Sequence, residues 1–444
     1  MGRYNPDIVT PNLDRFAEEN FVFESAYSTC PVCSPHRASL MSGTYPTEHG
    51  VHSNCAPRRG IELPVSMRCI TDVLHDAGYA TGYIGKWHLD DASEGKDPRP
   101  DDGATGWDAF TPPGPRRHGV EYWYSYGTFD DHLHPHYWHD TKEKIEVNEW
   151  SVAHETGKAI EYIDGLEGDR PFALFLSFNP PHSDYKLVPE RFLDIYRDKE
   201  ITLRKNVSPS VRNHAMQKAG SIEEITFDTK CYYAAISGID HYFGELLDFL
   251  KRKGLYEDTV IIVSADHGDM MGSHGRMGKT IYYEEACGIP FIVHGGTQGT
   301  SDALIGSPDH APTILGMLGL PPERAFKGAD FSPMIRGEEQ KEPYEDILIE
   351  NFPGEKGYAA HGLNFFDYGY RCIKSHDYKY VYDKGFAVGD PHLEFYFDCK
   401  ADPYELSPIT PDGSNQEIFA RLRERLAYWM GKTNDNFLWD VNFK

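Results

Sequence analysis

The stretch Cys30-Pro31-Val32-Cys33-Ser34-Pro35-His36-Arg37-Ala38-Ser39-Leu40-Met41-Ser42-Gly43 places a sulfur nucleophile beside a cation. Ser34 suits a helix N-cap, Pro35 the first helical position and Gly43 the left-handed residue after the last turn. Cys33 then lies just ahead of a helix N-terminus, where backbone N–H groups and the helix dipole favour negative charge. Arg37 is one turn further on and on the same side. A sulfur nucleophile or its derivative, a helix end and a guanidinium fork together suit a tetrahedral oxyanion such as sulfate or phosphate. Taken singly, Cys33 reads as a buried structural thiol, which is what most lone cysteines are. Cys30 and Cys33 also form Cys-x-x-Cys, which admits a thioredoxin-like pair or half of a zinc site. No second Cys-x-x-Cys follows, and neither of those readings explains the arginine.

Other residues with chemical potential lie far along the chain. Lys86 and His88 stand at i, i+2 in Gly85-Lys86-Trp87-His88-Leu89, so an extended segment shows both on one face. Gly85-Lys86 is not a phosphate loop, because Ala80 replaces the first glycine and Trp87 the Ser/Thr. His182 follows two prolines that fix the chain direction. Asp266 and His267 offer adjacent hard and borderline metal ligands. Lys279 precedes Tyr283-Glu284-Glu285, with Arg276 nearby as an alternative cation. His132, His134, His136 and His139 cluster with Tyr137 and Trp138, either as a transition-metal site or as a loop whose aromatics stack on a sugar. Asn206-Val207-Ser208 is a formal glycosylation sequon.

The elements that must position these residues alternate between helix and strand. Residues 7–20 read as a helix with Thr10 as N-cap and Leu13, Phe16 and Ala17 on one face. Phe21-Val22-Phe23 starts a strand leading to Cys33. A helix over 67–77 precedes a strand over 79–85 that ends at Lys86. Residues 90–140 read as loop, 147–165 as a helix, and 172–178 as a continuous apolar strand covered on both faces. A long helix over 229–253 leads to strands at 259–264 and 290–294. Lys86, His182 and Asp266 thus each follow the C-terminal end of a strand, the edge where open α/β sheets gather their ligands. Beyond about residue 340, short strands at 346–349, 370–373, 378–382 and 394–397 and a helix at about 414–430 predict a small antiparallel sheet with one helix on it. The expected division is therefore 1–338 and 339–444.

With 444 residues, 40% hydrophobic and 13% aromatic, the chain can build a substantial core. A net charge of −25 argues against nucleic acid and requires a local basic pocket for any anionic substrate. No apolar run approaches the roughly 20 residues of a membrane span. Eight scattered cysteines do not suggest a disulfide framework.

Cys33-Ser34-Pro35-His36-Arg37 fits Cys-x-Pro-x-Arg. Together with Leu40, Ser42-Gly43 and Tyr45-Pro46 it resembles the type I, formylglycine-dependent sulfatases of the alkaline-phosphatase superfamily, with His36 where the family often has serine. Gly85-Lys86-Trp87-His88, Asn179-Pro180-Pro181-His182, Asp266-His267-Gly268, the run from Lys279 to Glu284 and the turn Asp402-Pro403-Tyr404-Glu405-Leu406 are similar to further motifs of that family. The resemblance runs from about Asp7 to the C-terminus. It implies an α/β fold: an alkaline-phosphatase-like mixed sheet covered by helices on both faces, plus the small C-terminal antiparallel sheet. It also implies that a maturation enzyme converts Cys33 to formylglycine, whose hydrate attacks sulfur. Arg37, Lys86, Lys279 and a Ca2+ or Mg2+ ion held by Asp266, His267 and position 33 would neutralise the sulfuryl oxygens. His182 would protonate the leaving alcohol, and His88 would act as the base that re-forms the aldehyde.

The implied substrate is a sulfated small molecule or saccharide. Asp-His-Gly is shared across the superfamily, so a phosphonate monoester or phosphodiester hydrolase is the alternative, and an inactive truncated homologue a third. The family's opening strand, which ends in adjacent metal-binding acids, has no counterpart here: Asp7 and Asp14 are the early aspartates, and neither follows an apolar strand. The expectation is a missing first core strand and a metal site reduced to Asp266, His267 and position 33. The start Met1-Gly2-Arg3-Tyr4-Asn5-Pro6 has no apolar segment after it. The expected location is periplasmic or extracellular if a signal has been lost and cytoplasmic otherwise.

Overall fold

Helix α1 (Pro11–Glu19) buries Leu13, Phe16 and Ala17, the face its spacing predicts. The Thr10 hydroxyl donates to Asp14 Oδ1 at 3.1 Å and does not cap the backbone. The computed structural model describes residues 1–56, 59–91, 108, 110–209, 220–339 and 341–437. After strand β1 (Phe21–Phe23), helix α2 (Cys33–Ser42) begins two residues earlier than the Ser34 cap would place it. Val32 is the residue before the first turn, and Cys33 is itself in the helix. The Ser34 hydroxyl instead donates to His88 O and accepts from Cys55 N, tying α2 to the segment that carries His88. Gly43 ends the helix at φ 61°, and its N–H reaches Ser39 O at 2.8 Å. A side chain there would meet the Phe326 ring.

Helix α3 (Ile70–Asp76) is shorter than expected, and Cys69 with Asp72 forms its capping box. Strand β2 (Ala80–Lys86) is wholly buried. Strand β3 (Tyr122–Tyr126) lies in the stretch read as loop and pairs parallel with β2, from Gly82↔Tyr122 to Lys86↔Tyr126. Its Tyr-Trp-Tyr-Ser-Tyr sequence is a strong strand former, hidden from a window dominated by surrounding glycine and proline. Residues 92–107 and 109 of that loop reading lie outside the described residues. Helix α4 (Ser151–Asp164) packs on this sheet, and strand β4 (Phe172–Ser177) completes it in the order β3-β2-β4, all parallel.

Helix α5 (Ile222–Lys253) starts about two turns before the predicted residue. Ser221 and Glu224 cap each other's backbone there, a reciprocal cap worth about 1 kcal/mol. Strands β5 (Ile261–Ser264), β6 (Phe291–His294) and β7 (Gly299–Ser301) join β1 in a second, mixed sheet ordered β7-β1-β6-β5. Strands β4 and β5 do not pair with each other among the described residues. Both are only half-buried, although their apolar runs suggest cover on both faces. Each stands at a sheet edge, and that edge leaves the strand accessible.

The C-terminal part is an antiparallel sheet of β8 (Ile347–Asn351), β9 (Tyr370–Lys374), β10 (Tyr378–Asp383) and β11 (Leu393–Asp398). Helix α6 (Gln416–Lys432) covers one face with Phe419, Leu422, Leu426 and Trp429. The other face packs Ile349, Cys372 and Phe397 against Tyr27, Ile281, Ala286 and Cys287, so residues on both sides of position 338 share one apolar cluster. All eight cysteines are free. No helix among the described residues is long and apolar enough to cross a membrane.

Helix α4 presents an acid to this interior. Glu155 is fully buried, and the Tyr137 hydroxyl donates to its Oε1 at 2.9 Å. Burial pushes its carboxyl up to about 8, although the Tyr137 and Tyr126 hydroxyls and the Arg37 charge pull it down. The folded protein therefore keeps a proton that the unfolded chain releases near the ordinary value. Stability from this group is full at acid pH and is lost as pH rises from about 4.5 toward about 8. Glu155→Gln should flatten the fall in melting temperature between about pH 5 and about pH 8 by the equivalent of a few kcal/mol. Parallel slopes for wild type and variant would contradict the assignment.

Candidate active site

Cys33 at the first turn of α2 is the centre of a cationic pocket. Its Sγ lies 3.2 Å from His267 Nε2 and 3.7 Å from Lys86 Nζ. Lys86 ends β2, and His267 follows β5, so two sheets deliver these groups to the same helix end. Lys279 enters from the loop after β5. Its Nζ lies 2.6 Å from Nε2 of His182, which follows β4. Burial pushes the Cys33 thiol up, but the charges of Lys279, Lys86 and His267 outweigh it and hold the thiol well below its ordinary value. Burial pulls Lys86 down, while Lys279, facing Cys33 and Asp266, is held above its usual range despite burial. The pocket is thus a buried positive field inside a chain of net charge −25.

His88 lies in the same wall. Its Nε2 meets Cys55 O at 3.0 Å, and Nδ1 is buried with no partner among the described residues. Burial takes this imidazole down to about 4, so it is neutral at ordinary pH and able to accept a proton at Nδ1. His36 points the other way. It meets Ser28 and Ser307 hydroxyls at 2.9 Å each, and burial takes it down to about 3. Asn54 Oδ1 accepts a free N–H of the first turn of α2, from Ser34, at 3.2 Å.

Arg37 differs from the anion fork read in the sequence. Nε and Nη2 both reach Asp266 Oδ2, at 3.1 and 3.0 Å, while Nη1 donates to Lys86 O at 2.9 Å and Ser177 Oγ at 2.6 Å. The guanidinium therefore joins α2 to the C-terminal ends of β2, β4 and β5. Burial opposes the Asp266 charge, yet His267 and Arg37 hold that carboxyl well below the usual range.

Among the described residues, donor atoms of Cys33, Asp266 and His267 lie within 4.8 Å of one another. A carboxylate, an imidazole and a sulfur fit a divalent cation as part of its ligand set. An oxygen at position 33 in place of sulfur makes the set harder, toward the oxygen donors that Ca2+ and Mg2+ take. Three donors fall short of the roughly six to eight that calcium uses.

The histidine cluster does not converge. His136 Nε2 pairs with Asp108 at 2.6 Å, His139 lies beside Asp140, and His134 is exposed. Tyr137 and Trp138 are buried in the interior, so neither is available to stack on a ligand. His132 serves the site indirectly, with Nε2 2.9 Å from His182 O. The sequon is also used inside the fold: the buried Asn206 amide donates to Glu285 Oε1 at 2.7 Å and Tyr404 O at 3.2 Å. Sequence reasoning missed Asp130, whose Oδ1 lies 3.2 Å from His182 Nδ1, and gave Asn179 no role. The Asn179 amide N–H donates to Asp130 at 3.0 Å, and its Oδ1 accepts from Lys86 Nζ at 2.9 Å. These contacts join residues some fifty to ninety positions apart, and no local spacing marks them.

A match to the sulfatase family model covers residues 1–320, and one to the N-sulphoglucosamine sulphohydrolase C-terminal model covers residues 272–432. The chain is 35% identical to an endo-4-O-sulfatase of Bacteroides thetaiotaomicron, over 96% of this chain and 85% of that protein. It superposes with TM-score 0.84 and 31% identity on a solved structure from work on glycosaminoglycan metabolism by the same organism, covering 99% of this chain and 92% of that one. A phosphonate monoester hydrolase of Agrobacterium radiobacter shares the fold, with TM-score 0.73, 20% identity and coverage of 100% and 95%.

Proposed function

Because the chain belongs to the sulfatase family, we propose that it hydrolyses a sulfate ester of a saccharide at the pocket around position 33. The observation that supports this most is the convergence of Lys86, Lys279, His182 and His267 on Cys33 at the first turn of α2. Conversion of Cys33 to formylglycine would supply a hydrated aldehyde with a hydroxyl for attack on sulfur and a second hydroxyl to release the product. A divalent cation held by Asp266, His267 and the position-33 group would add charge neutralisation at the sulfuryl oxygens.

The remaining work falls to the chain's own side chains. Lys86 and Lys279 are fixed charges in a partly enclosed pocket, aimed where negative charge gathers on the sulfuryl oxygens. His182 holds its Nε2 beside Lys279, within reach of a sulfate ester oxygen, and gives a proton to the departing alcohol. Its Nδ1 meets Ser183 O at 2.9 Å, so the reactive nitrogen is Nε2. His88, neutral and with Nδ1 free, accepts the proton of the product-releasing step. Arg37 keeps Asp266 charged and in place.

The test is product release from chain co-expressed with a maturing enzyme. Inorganic sulfate should appear from 4-O-sulfated glycosaminoglycan oligosaccharides, with far slower turnover of bis(4-nitrophenyl) phosphate. Preferred hydrolysis of the phosphodiester would overturn this reading in favour of a phosphonate or phosphodiester hydrolase.

A further inference from the structure

The carboxylate behind His182 belongs to no motif in the sequence. Asp130 approaches Nδ1, on the side of the ring away from Lys279, which faces Nε2. Asn179 fixes this carboxylate, donating to it at 3.0 Å and to Phe129 O at 2.8 Å. Asn179 is itself held by Lys86 Nζ, and its carbonyl accepts the His182 N–H at 3.1 Å. His132 grips the His182 carbonyl. The ring is thus clamped from its backbone and from its far nitrogen, with one nitrogen left facing the pocket.

The backbone alone accounts for part of this. Ser183 O lies 2.9 Å from the same Nδ1 and can hold the tautomer without help. A carbonyl, however, brings no net charge. Two lysines stand near His182, one of them 2.6 Å from Nε2. A proton carried at Nε2 is repelled by both, and a half-buried carboxylate on the opposite edge offsets that repulsion. We propose that Asp130, held by Asn179, is the positioning residue that lets His182 deliver its proton to the ester oxygen. This rests on the sulfate-ester reading above. As the S–O bond to the alcohol breaks, its electron pair stays on that oxygen and the Nε2 proton joins it. The imidazole is left neutral, and Asp130 remains a carboxylate throughout.

A general acid matters most when the leaving group is a poor one. Asp130→Asn should cut kcat about 100-fold on a 4-O-sulfated glycosaminoglycan oligosaccharide, with KM nearly unchanged. On 4-nitrophenyl sulfate, whose phenolate leaves without a proton, the loss should stay within about 5-fold. In a His182→Ala background, Asp130→Asn should cost nothing further on the saccharide. Equal losses on both esters, or losses that multiply with those of His182→Ala, would place Asp130 in the scaffold and overturn the proposal. Asp130→Ser serves as a second variant with the same expected discrimination, and failure of both to fold would also assign the residue to the scaffold. If matured wild type releases sulfate from neither ester, the sulfate-ester reading itself fails and the proton-delivery role falls with it.

Discussion

Matured protein carrying Cys33→Ala should release sulfate at least about 10⁴-fold more slowly than wild type while still binding the ester. The position lies at the first turn of α2, is 1% exposed, and faces His267 and Lys86. Alanine removes the sulfur from which a nucleophile would be made and leaves the two lysines in place. The electrostatic attraction for a sulfate group therefore survives, and the bond-making atom does not. Calorimetric titration with the sulfated oligosaccharide should give affinities for variant and wild type within about 10-fold of each other, while turnover separates by orders of magnitude. Mass spectrometry of the wild-type peptide containing position 33 supplies the matching observation. After co-expression with a maturing enzyme it should be lighter by the difference between a thiol and an aldehyde. A peptide still carrying the thiol in a preparation that is fully active would remove formylglycine from the mechanism.

What the sequence showed and what it hid divide along a physical line. Residues whose role depends on their own neighbours were legible: Gly43 in its left-handed turn, the 3.6-residue face of α1, and Lys86 and Asp266 at or just beyond strand ends. Strand ends gather at one edge of an α/β fold, and that rule alone brought distant positions together. The Ser34 cap failed because a tertiary donor, the Cys55 N–H, takes up the hydroxyl oxygen that a cap would offer to the helix. Strand β3 was lost among loop residues because its aromatics carry a strand signal weaker than the punctuation around it. The histidine cluster misled for the opposite reason. Four histidines within eight positions share a stretch of chain and no common point in space, because each finds a different partner. Asp130 and Asn179 were silent because their contacts form only when β2, β4 and the loop after β3 meet. Arg37 was placed correctly in sequence, but the direction of its fork is set by Asp266, which is 229 positions away.

That fork leads to the second large effect. Arg37→Ala should destabilise the protein by about 3–5 kcal/mol and abolish sulfate release together. The side chains of Arg37 and Asp266 are 13% and 20% exposed, so neither charge is well solvated once its partner is gone. Removing the guanidinium also frees the Lys86 carbonyl and the Ser177 hydroxyl from their shared donor. The ends of β2, β4 and β5 lose the cation that ties them to α2. Arg37→Lys keeps the charge but cannot span Asp266, Lys86 O and Ser177 with one compact ammonium, so it should recover only part of the stability. Denaturant unfolding monitored by tryptophan fluorescence measures the loss. The cause can be separated from general damage by neutralising the acid as well. If the cost comes from a stranded carboxylate, Arg37→Ala combined with Asp266→Asn should be more stable than Arg37→Ala alone, by about 1–3 kcal/mol, while remaining inactive. Simple addition of the two losses would mean that Arg37 acts through packing, with Asp266 incidental. Recovery of stability without recovery of turnover would show that the charge on Asp266 is kept for the chemistry at position 33 and at a cost to the fold.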